Sequence, residues 1–506
     1  MKNKIKTLNN LQKIIKSKKK LGKKIVHCHG VFDLLHVGHI KHFKEAKKLG
    51  DLVVVTITSD KYVNKGPGRP VFNERLRAEA IAALEYVDYL AINNAPSAVN
   101  VIKKIRPNIY CKGPDYKISR NDISGQIKKE IKIVKRFKGN IVFTKDITFS
   151  SSSLLNQNQD QSAQHKLLIK NIRSHYTFSN ILYSIKNFSK IKVLIIGETI
   201  IDQYVFCEAL GKSGKEPILV VKDLKTEEYL GGAAALSKHI SPFCNKISLL
   251  SVLGEKKEYL KKIKKDLPNN IKFNYITKKN SSTILKRRFL EKISKHKLLG
   301  VHKINDDLIS KKEEKSFNKL LKKLIPQHDL VIVSDYGHGL ISKKNAKLIC
   351  QKSKFLALNA QINSANIGFH SMRNYKNVDC VIINEREIRH ELRDKNSILE
   401  KLMKKLSTEQ AISDLIVTRG DQGAVFFQRK ANKFYFSDAY AKSAIDKIGA
   451  GDAMLSIIAL CLKSKFKKEL ALLISSLAGA QSVQTIGNKE SINKVSLLKS
   501  IESILK

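Results

Sequence analysis

Two histidines three residues apart, in His36-Val37-Gly38-His39, stand where an apolar segment gives way to a helix-like one. A helix start presents unpaired amides and the positive end of the dipole, so it attracts phosphate. Gly38 lets a phosphate approach the backbone closely. His36 and His39 project towards one place, where they can stabilise charge on an α-phosphate under attack. His27, His29 and His42 are near in sequence, so a metal-binding or surface histidine cluster competes, although no closed Cys/His spacing accompanies it. A second segment, Asp446-Lys447-Ile448-Gly449-Ala450-Gly451-Asp452, precedes an apolar stretch over 453–462. Gly449, Ala450 and Gly451 at a helix start make an anion hole from backbone amides. Asp452 beside it can take the proton of a substrate hydroxyl while a γ-phosphoryl group transfers. A capped helix after a tight turn is the plainer alternative.

These residues need elements to hold them. Residues 24–29 read as a strand, 30–33 as a turn, 37–49 as a helix and 52–57 as a buried strand. That is a βαβ unit, which implies a parallel sheet. Strand candidates recur at 193–197, 330–333, 380–383 and 415–418, with helical stretches between them. The fold class is therefore α/β, with two doubly wound domains. Between them, residues 150–164 are polar and unpatterned and read as a linker, followed by an amphipathic stretch over 165–188. The expected organisation is a first domain over 23–155, a linker with connecting helix over 156–188, and a second domain over 189–506. A length of 506 residues suits this division.

Lys and Arg number 94 against 45 Asp and Glu, a difference of +49, while 42% of residues are hydrophobic. That apolar share supplies real cores and excludes a disordered chain. The lysines are spread along the whole length, Trp is absent and lysine outnumbers arginine. Base-edge readers lean on arginine, so the charge reads as solvated helix faces that favour anionic substrates, with no specific nucleic acid. The seven cysteines are scattered without a Cys-x-x-Cys pair, which fits reduced thiols. No apolar run reaches membrane-spanning length, and the basic residues 1–24 are not followed by a signal-peptide core. A cytoplasmic protein with no membrane partner is expected.

The run Gly30-Val31-Phe32-Asp33-Leu34-Leu35-His36-Val37-Gly38-His39 resembles the opening of the nucleotidyltransferase superfamily that includes cytidylyltransferases and sugar-phosphate adenylyltransferases. The likeness continues in order through Gly68-Arg69-Pro70-Val71, Arg77, Ala83-Leu84-Glu85-Tyr86-Val87-Asp88, Arg106-Pro107-Asn108, Lys112-Gly113-Pro114-Asp115-Tyr116 and Phe149-Ser150-Ser151-Ser152-Ser153-Leu154. The resemblance implies a Rossmann-like domain in which His36, His39 and Lys112 are catalytic. Gly30, Phe32, Asp33, Gly38, Arg77, Ser151 and Ser152 would then contact the nucleotide. Simple N-capping accounts equally well for either serine.

The second glycine turn is similar to the signature of the ribokinase-like (phosphofructokinase-B) sugar kinases, and four further segments agree. Asn384-Glu385-Arg386-Glu387 matches the N-x-x-E motif, tied to Mg2+ and phosphate positioning. Thr418-Arg419-Gly420-Asp421-Gln422-Gly423 matches the ATP-side turn, Gly231-Gly232-Ala233-Ala234 the sugar-side glycine pair, and Gly197-Glu198-Thr199-Ile200-Ile201-Asp202 the first strand. Ser334-Asp335-Tyr336-Gly337-His338-Gly339 is similar to a segment of the heptose-phosphate kinase branch. The resemblance implies Asp452 as base. It places nucleotide contacts at Asn384, Glu387, Thr418, Gly420, Gly423, Gly449, Ala450 and Gly451. Sugar contacts fall at Asp202, Gly231, Gly232 and Asp335, with Glu387 serving the metal and ATP as co-substrate.

Together the modules resemble the bifunctional heptose-7-phosphate kinase/heptose-1-phosphate adenylyltransferase family, which serves ADP-heptose synthesis for bacterial surface lipopolysaccharide; there the kinase comes first, here second. Three departures fall on the sugar side: Ala235 where Asn usually continues the glycine motif, Glu198 for Asp, and Asn359-Ala360-Gln361-Ile362-Asn363 for an Asp-Pro-Lys region. The expectation is a multifunctional transferase that phosphorylates a heptose 7-phosphate-like sugar and transfers a nucleotidyl group from ATP to a sugar 1-phosphate. Its partners would be sugar phosphates and NTP, with a homo-oligomer possible. A CTP-dependent transferase acting on glycerol or another polyol phosphate, a nucleic-acid-associated protein and a scaffold with an inactive kinase site remain alternatives.

Overall fold

The computed structural model describes residues 4–65, 69–113, 125–144, 161–362, 366–441 and 443–505. Gly68, Pro114 to Tyr116, the serine-rich turn with Ser151 and Ser152, and Asn363 lie outside the described residues. The chain divides into two compact units, Met1–Asp160 with Leu498–Lys506, and Gln161–Leu497.

The first unit is built on five parallel strands: β1 (Ile25–Gly30), β2 (Leu52–Thr58), β3 (Tyr89–Asn93), β4 (Ile109–Lys112) and β5 (Asn140–Phe143). Their order is β3-β2-β1-β4-β5. Helices cover both faces, so β2 can be almost continuously apolar and is buried along nearly its whole length. One face packs Val26, Cys28 and Val55 against Phe43 and Ile81; the other packs Ile25 and Val54 against Leu11, Ile15 and Val101. Leu11 and Ile15 belong to a helix, Leu8–Lys20, so apolar packing on this sheet begins ahead of residue 23. The order reverses between β1 and β4. In such sheets the crevice outside the carboxyl ends at the reversal is where ligands bind. Gly30 and Lys112 end those two strands.

The second unit carries a nine-stranded sheet. Its strands are β6 (Lys192–Gly197), β9 (Lys246–Gly254), β10 (Ile271–Lys278), β13 (Leu330–Asp335), β14 (Leu356–Ala360), β15 (Cys380–Asn384), β16 (Asp414–Thr418), β17 (Ala424–Gln428) and β18 (Lys433–Ser437). The order is β10-β9-β6-β13-β14-β15-β16-β17-β18, parallel as far as β16 and antiparallel beyond it. Gly197, Asp335, Ala360, Asn384 and Thr418 therefore end parallel strands at one edge of the sheet.

A smaller sheet was not foreseen from the sequence. It consists of β7 (Thr199–Lys212), β8 (Leu219–Gly231), β11 (Ile284–Glu291) and β12 (Lys297–Lys303), in the order β12-β11-β7-β8. The amphipathic stretch over 165–188 is two helices, Ala163–His175 and Phe178–Lys186, because Thr177 caps the second by accepting from the Asn180 amide at 3.3 Å. Helix Ala450–Lys463 is buried throughout 453–462, as its apolar run requires. Among the described residues no helix is long and apolar enough to cross a membrane.

Candidate active sites

His36 is the N-cap of helix Val37–Lys47, and its Nδ1 accepts from the Gly38 amide at 3.1 Å. One turn in, His39 stacks on it with ring centroids 3.9 Å apart, and Phe32 meets His39 edge-on at 5.3 Å. Phe32 reaches this position with a left-handed backbone, φ +47°. Burial pushes His39 down to about 3, with His36 and Lys65 adding to the fall and a hydrogen bond to the Leu34 backbone opposing it. His36 is lowered too, by burial and then Lys65. Both imidazoles are thus neutral at pH 7. An anion arriving at this helix start meets the remaining N–H of His36 and the neutral His39 ring, and its negative charge would draw both imidazoles towards protonation.

The surrounding residues hold this corner in place. Asp33 is buried and accepts from the Val71 amide at 2.6 Å and from Arg69 Nη1 at 3.1 Å. Arg77, also buried, donates to the Phe72, Val31 and Thr58 carbonyls and to Asp60 Oδ1. Its guanidinium ties the β1 and β2 ends to helix Glu74–Ala82, so its geometry is that of a positioning group. Lys112 donates to the His29 carbonyl at 3.2 Å and lies 3.6 Å from Glu130 Oε2. Glu130 also accepts from Tyr110 and from the Ala98 amide. The sequence singled out neither Glu130 nor Asp60; each is an ordinary helix or loop acid until the fold brings it to its cation.

In the second unit, Gly449 has φ +86°, and a Cβ there would stand 2.3 Å from Asn488 Oδ1. Only glycine fits, and it opens helix Ala450–Lys463 with Asp452 in the first turn. Burial pushes Asp452 up to about 7 and the Asp202 charge adds to this, while the Tyr336 and Ser334 hydroxyls and Lys286 oppose it. Tyr336 Oη lies 3.1 and 3.0 Å from the two Asp452 oxygens. Asp202 accepts from Arg288 Nη1 at 2.6 Å and from Asn488 Nδ2 at 3.3 Å. A Cβ on Gly231 would fall 2.2 Å from Asp202 Oδ2, so this glycine makes room for the carboxylate. Gly232 follows at φ +59° as the first residue of helix Gly232–Ile240.

On the far side, Asn384 and Thr418 are register partners at the ends of β15 and β16. Asn384 caps helix Glu385–Leu392, and Glu387 reaches back to the Asn384 amide at 2.7 Å and to the Ile362 amide at 3.2 Å. Burial pushes Glu387 up to about 7 even so. Gly420 has φ +63° with open space around its Cα, and Gly423 has φ +82°. Asp335 faces inward, accepting from Tyr375 Oη at 2.7 Å and the Gly337 amide at 3.0 Å.

Residues 190–494, more than half of the sequence, match the family model described as pfkB family carbohydrate kinase. The chain belongs to the pfkB family of carbohydrate kinases. Ahead of that segment, residues 27–158 match the model described as cytidylyltransferase-like. The bifunctional protein HldE of Campylobacter jejuni subsp. jejuni serotype O:6 is 28% identical over 324 residues, covering 62% of this chain and 67% of the relative. Its counterpart in Aliarcobacter butzleri is 41% identical over 138 residues, covering 27% and 29%. The chain spans two thirds of the first relative's length and less than a third of the second's. Phosphofructokinase-2 from Escherichia coli in complex with fructose-6-phosphate covers 62% of this chain and 99% of its own at 14% identity and a TM-score of 0.49.

Within this pfkB-family unit the departures acquire physical content. Glu198 is fully buried and accepts from the Tyr336 and His338 amides, both at 3.1 Å. Its carboxylate therefore shapes the loop that aims Tyr336 at Asp452. Ala235 is buried in helix Gly232–Ile240. Asn359 donates to the Ile382 carbonyl at 2.8 Å, bracing β14 against β15.

The unforeseen sheet supplies further groups. Register pairs Asp202 with Lys286 and Lys286 with His302, while Tyr204 pairs with Arg288. Paired residues share a face, and so do residues two apart along a strand. Asp202, Lys286, Arg288 and His302 therefore share one face. The sequence clue was the run of three cations Lys286-Arg287-Arg288, hidden in a lysine-rich chain. Gly231→Ala should displace Asp202 and raise the sugar KM by about 10²-fold, as ångström misplacements do, with the ATP KM unchanged. Steady-state kinetics check this; an unchanged sugar KM would remove Gly231 and Asp202 from the sugar site.

Proposed function

We propose that this chain is a bifunctional enzyme of nucleotide-activated sugar synthesis. The second unit transfers a phosphoryl group from ATP to a sugar phosphate of the heptose 7-phosphate kind. The first unit transfers a nucleotidyl group from an NTP, ATP in this reading, to a sugar 1-phosphate and releases pyrophosphate. Cytoplasmic nucleotide pools would serve both. The observation that carries the reading is Asp452, a carboxylate pushed up to about 7 beside the amides of a Gly-Ala-Gly helix start.

In the kinase step Asp452 takes the proton of the sugar hydroxyl as its oxygen bonds to the γ-phosphorus and the bond to ADP breaks. The amides at Gly449 to Gly451 stabilise the transferring group. Tyr336 holds the carboxylate until the substrate hydroxyl replaces it. Asn384, Thr418, Gly420 and Gly423 lie where the nucleotide would approach. Mg2+ fits the site because Glu387 offers hard carboxylate oxygens, each already oriented by a backbone amide. When bound it neutralises phosphate charge. In the nucleotidyl step a sugar-phosphate oxygen attacks the α-phosphorus and pyrophosphate leaves. His36 and His39 donate to the α-phosphate oxygens, Lys112 faces the phosphate charge, and Asp33 and Arg77 fix the corner that carries them.

Lys286, Arg288 and His302 beside Asp202 favour a sugar that already carries a phosphate. Burial lowers the Lys286 pKa, and an anionic substrate group would offset that cost. Lys286→Met should raise the KM for a sugar phosphate about 10–100-fold, the worth of one charge-assisted hydrogen bond, without changing the ATP KM. The decisive experiment is a panel of NTPs crossed with sugar 1-phosphates, scored by pyrophosphate release, together with ADP formation on sugars with and without a terminal phosphate. No turnover with any pair would overturn the proposal. CTP-only turnover with a polyol phosphate would replace the adenylyl reading.

A further inference from the structure

Cys28 and Cys111 are far apart in sequence, but parallel pairing of β1 with β4 sets them directly side by side. Both are fully buried thiols on the sheet face covered by helix Val37–Lys47. That helix brings His42 down onto them, and the two sulfurs and an imidazole nitrogen all lie within 4.8 Å of one another. Thr144 Oγ1 stands 3.2 Å from His42 Nδ1, an oxygen of the sort that orients a ligating imidazole or fills a further coordination position. Neither the proposed phosphate chemistry nor ordinary apolar packing needs two thiols and an imidazole to converge here.

We infer that Cys28, Cys111 and His42 form a binding site for a thiophilic divalent cation of the Zn2+ class. Two sulfurs and one nitrogen suit Zn2+ and do not suit Mg2+ or Ca2+, which take oxygen ligands. Tetrahedral bonds of about 2.3 Å to sulfur and 2.0–2.1 Å to nitrogen place such donors roughly 3.5–3.8 Å apart, so small side-chain rotations close the site. Binding releases the two thiol protons, and two thiolates neutralise the dication. The buried site then carries no net charge, which keeps its desolvation cost low. The ion would pin helix Val37–Lys47 to β1 and β4. That helix also carries His36 and His39, so the site is a positioning device for the nucleotidyl corner and takes no part in bond making.

The test uses the full chain, reduced with a metal-free phosphine and stripped of metal. Titration with Co2+ should give one equivalent of binding, with sulfur-to-cobalt charge-transfer absorption in the near ultraviolet and intense visible bands, both bleached by Zn2+. Cys28→Ser and Cys111→Ser should each lose the charge-transfer band or weaken binding at least tenfold. Cys350→Ser, outside the cluster, should behave as the wild type. Should the serine variants fail to fold, the wild type alone decides: Zn2+ should raise its thermal midpoint well beyond what Mg2+ at the same concentration does. Absence of the charge-transfer band from wild type, its persistence in both folded serine variants, or equal effects of Zn2+ and Mg2+ on the midpoint would overturn the inference.

Discussion

Asp452→Asn is expected to lower the kinase kcat by about 10²–10⁴-fold, the usual worth of a positioned general base. The substitution keeps the size of the side chain and its place in the first turn of helix Ala450–Lys463. It also keeps an oxygen for Tyr336, so the pocket should not collapse. Only the basic carboxylate goes. ATP affinity should change little, because the amides at Gly449 to Gly451 and the turn at Thr418 to Gly423, proposed to face the nucleotide, are untouched. In the wild type the base must be deprotonated to act. With Asp452 pushed up to about 7, kcat/KM should fall about tenfold for each pH unit below that value and level off above it. Asp452→Asn should flatten that acid limb. Steady-state kinetics across pH on the folded variant, with an accepted sugar, provide the measurement. A kcat within a few-fold of wild type, or an unchanged acid limb, would remove Asp452 from the role of base.

The kinase motifs could be read from sequence because backbone demands compress them into short runs. Gly449 needs φ +86°, so the turn, the helix start and Asp452 arrive as one heptapeptide. The parallel strands β6, β13, β15 and β16 were legible for a related reason: burial on both faces forces runs such as Leu330-Val331-Ile332-Val333. The smaller sheet obeys a different constraint. β12 is exposed along its whole length and β8 along most of it, with Lys222, Asp223, Lys225, Glu227 and Glu228 among its residues. No apolar pattern marks such strands in a chain this rich in lysine. Lys286 and Arg288 are placed by cross-strand register, which needs the fold. Glu198 looked like a departure from a motif; its two amide contacts make it a brace for the loop bearing Tyr336. In the first unit the His36 and His39 corner was visible as a helix start. That Arg77 spends its donors on Val31, Phe72, Thr58 and Asp60 was not, because those acceptors are mostly backbone carbonyls, which leave no mark on sequence. The Cys28–Cys111 pairing was invisible for the same kind of reason: a parallel register joins positions that lack any local spacing.

His39→Ala is expected to cut nucleotidyl transfer by about 10²–10³-fold, the cost of deleting one preorganised donor aimed at developing charge. The residue sits one turn inside helix Val37–Lys47, stacked on His36 at 3.9 Å and against Phe32 at 5.3 Å. Deletion therefore removes a donor and also loosens the ring that holds His36. His39→Asn separates the two effects, because a short amide retains a donor while giving up the stack. It should recover part of the lost rate in kcat, with the NTP KM close to that of His39→Ala. Burial holds His39 at about 3 in the ligand-free protein, so it begins neutral and becomes a donor to phosphate as the substrate's charge draws a proton to it. Wild type and variants should accordingly show parallel pH profiles of kcat/KM, which reports the free enzyme, through neutrality, offset by a constant factor. The kinase provides an internal control in the same sample, since its groups lie in a unit with its own core. Pyrophosphate release and ADP formation are measured on one preparation of folded variant. Transfer within a few-fold of wild type would exclude His39 from the chemistry, and a matching fall in both activities would contradict independent modules.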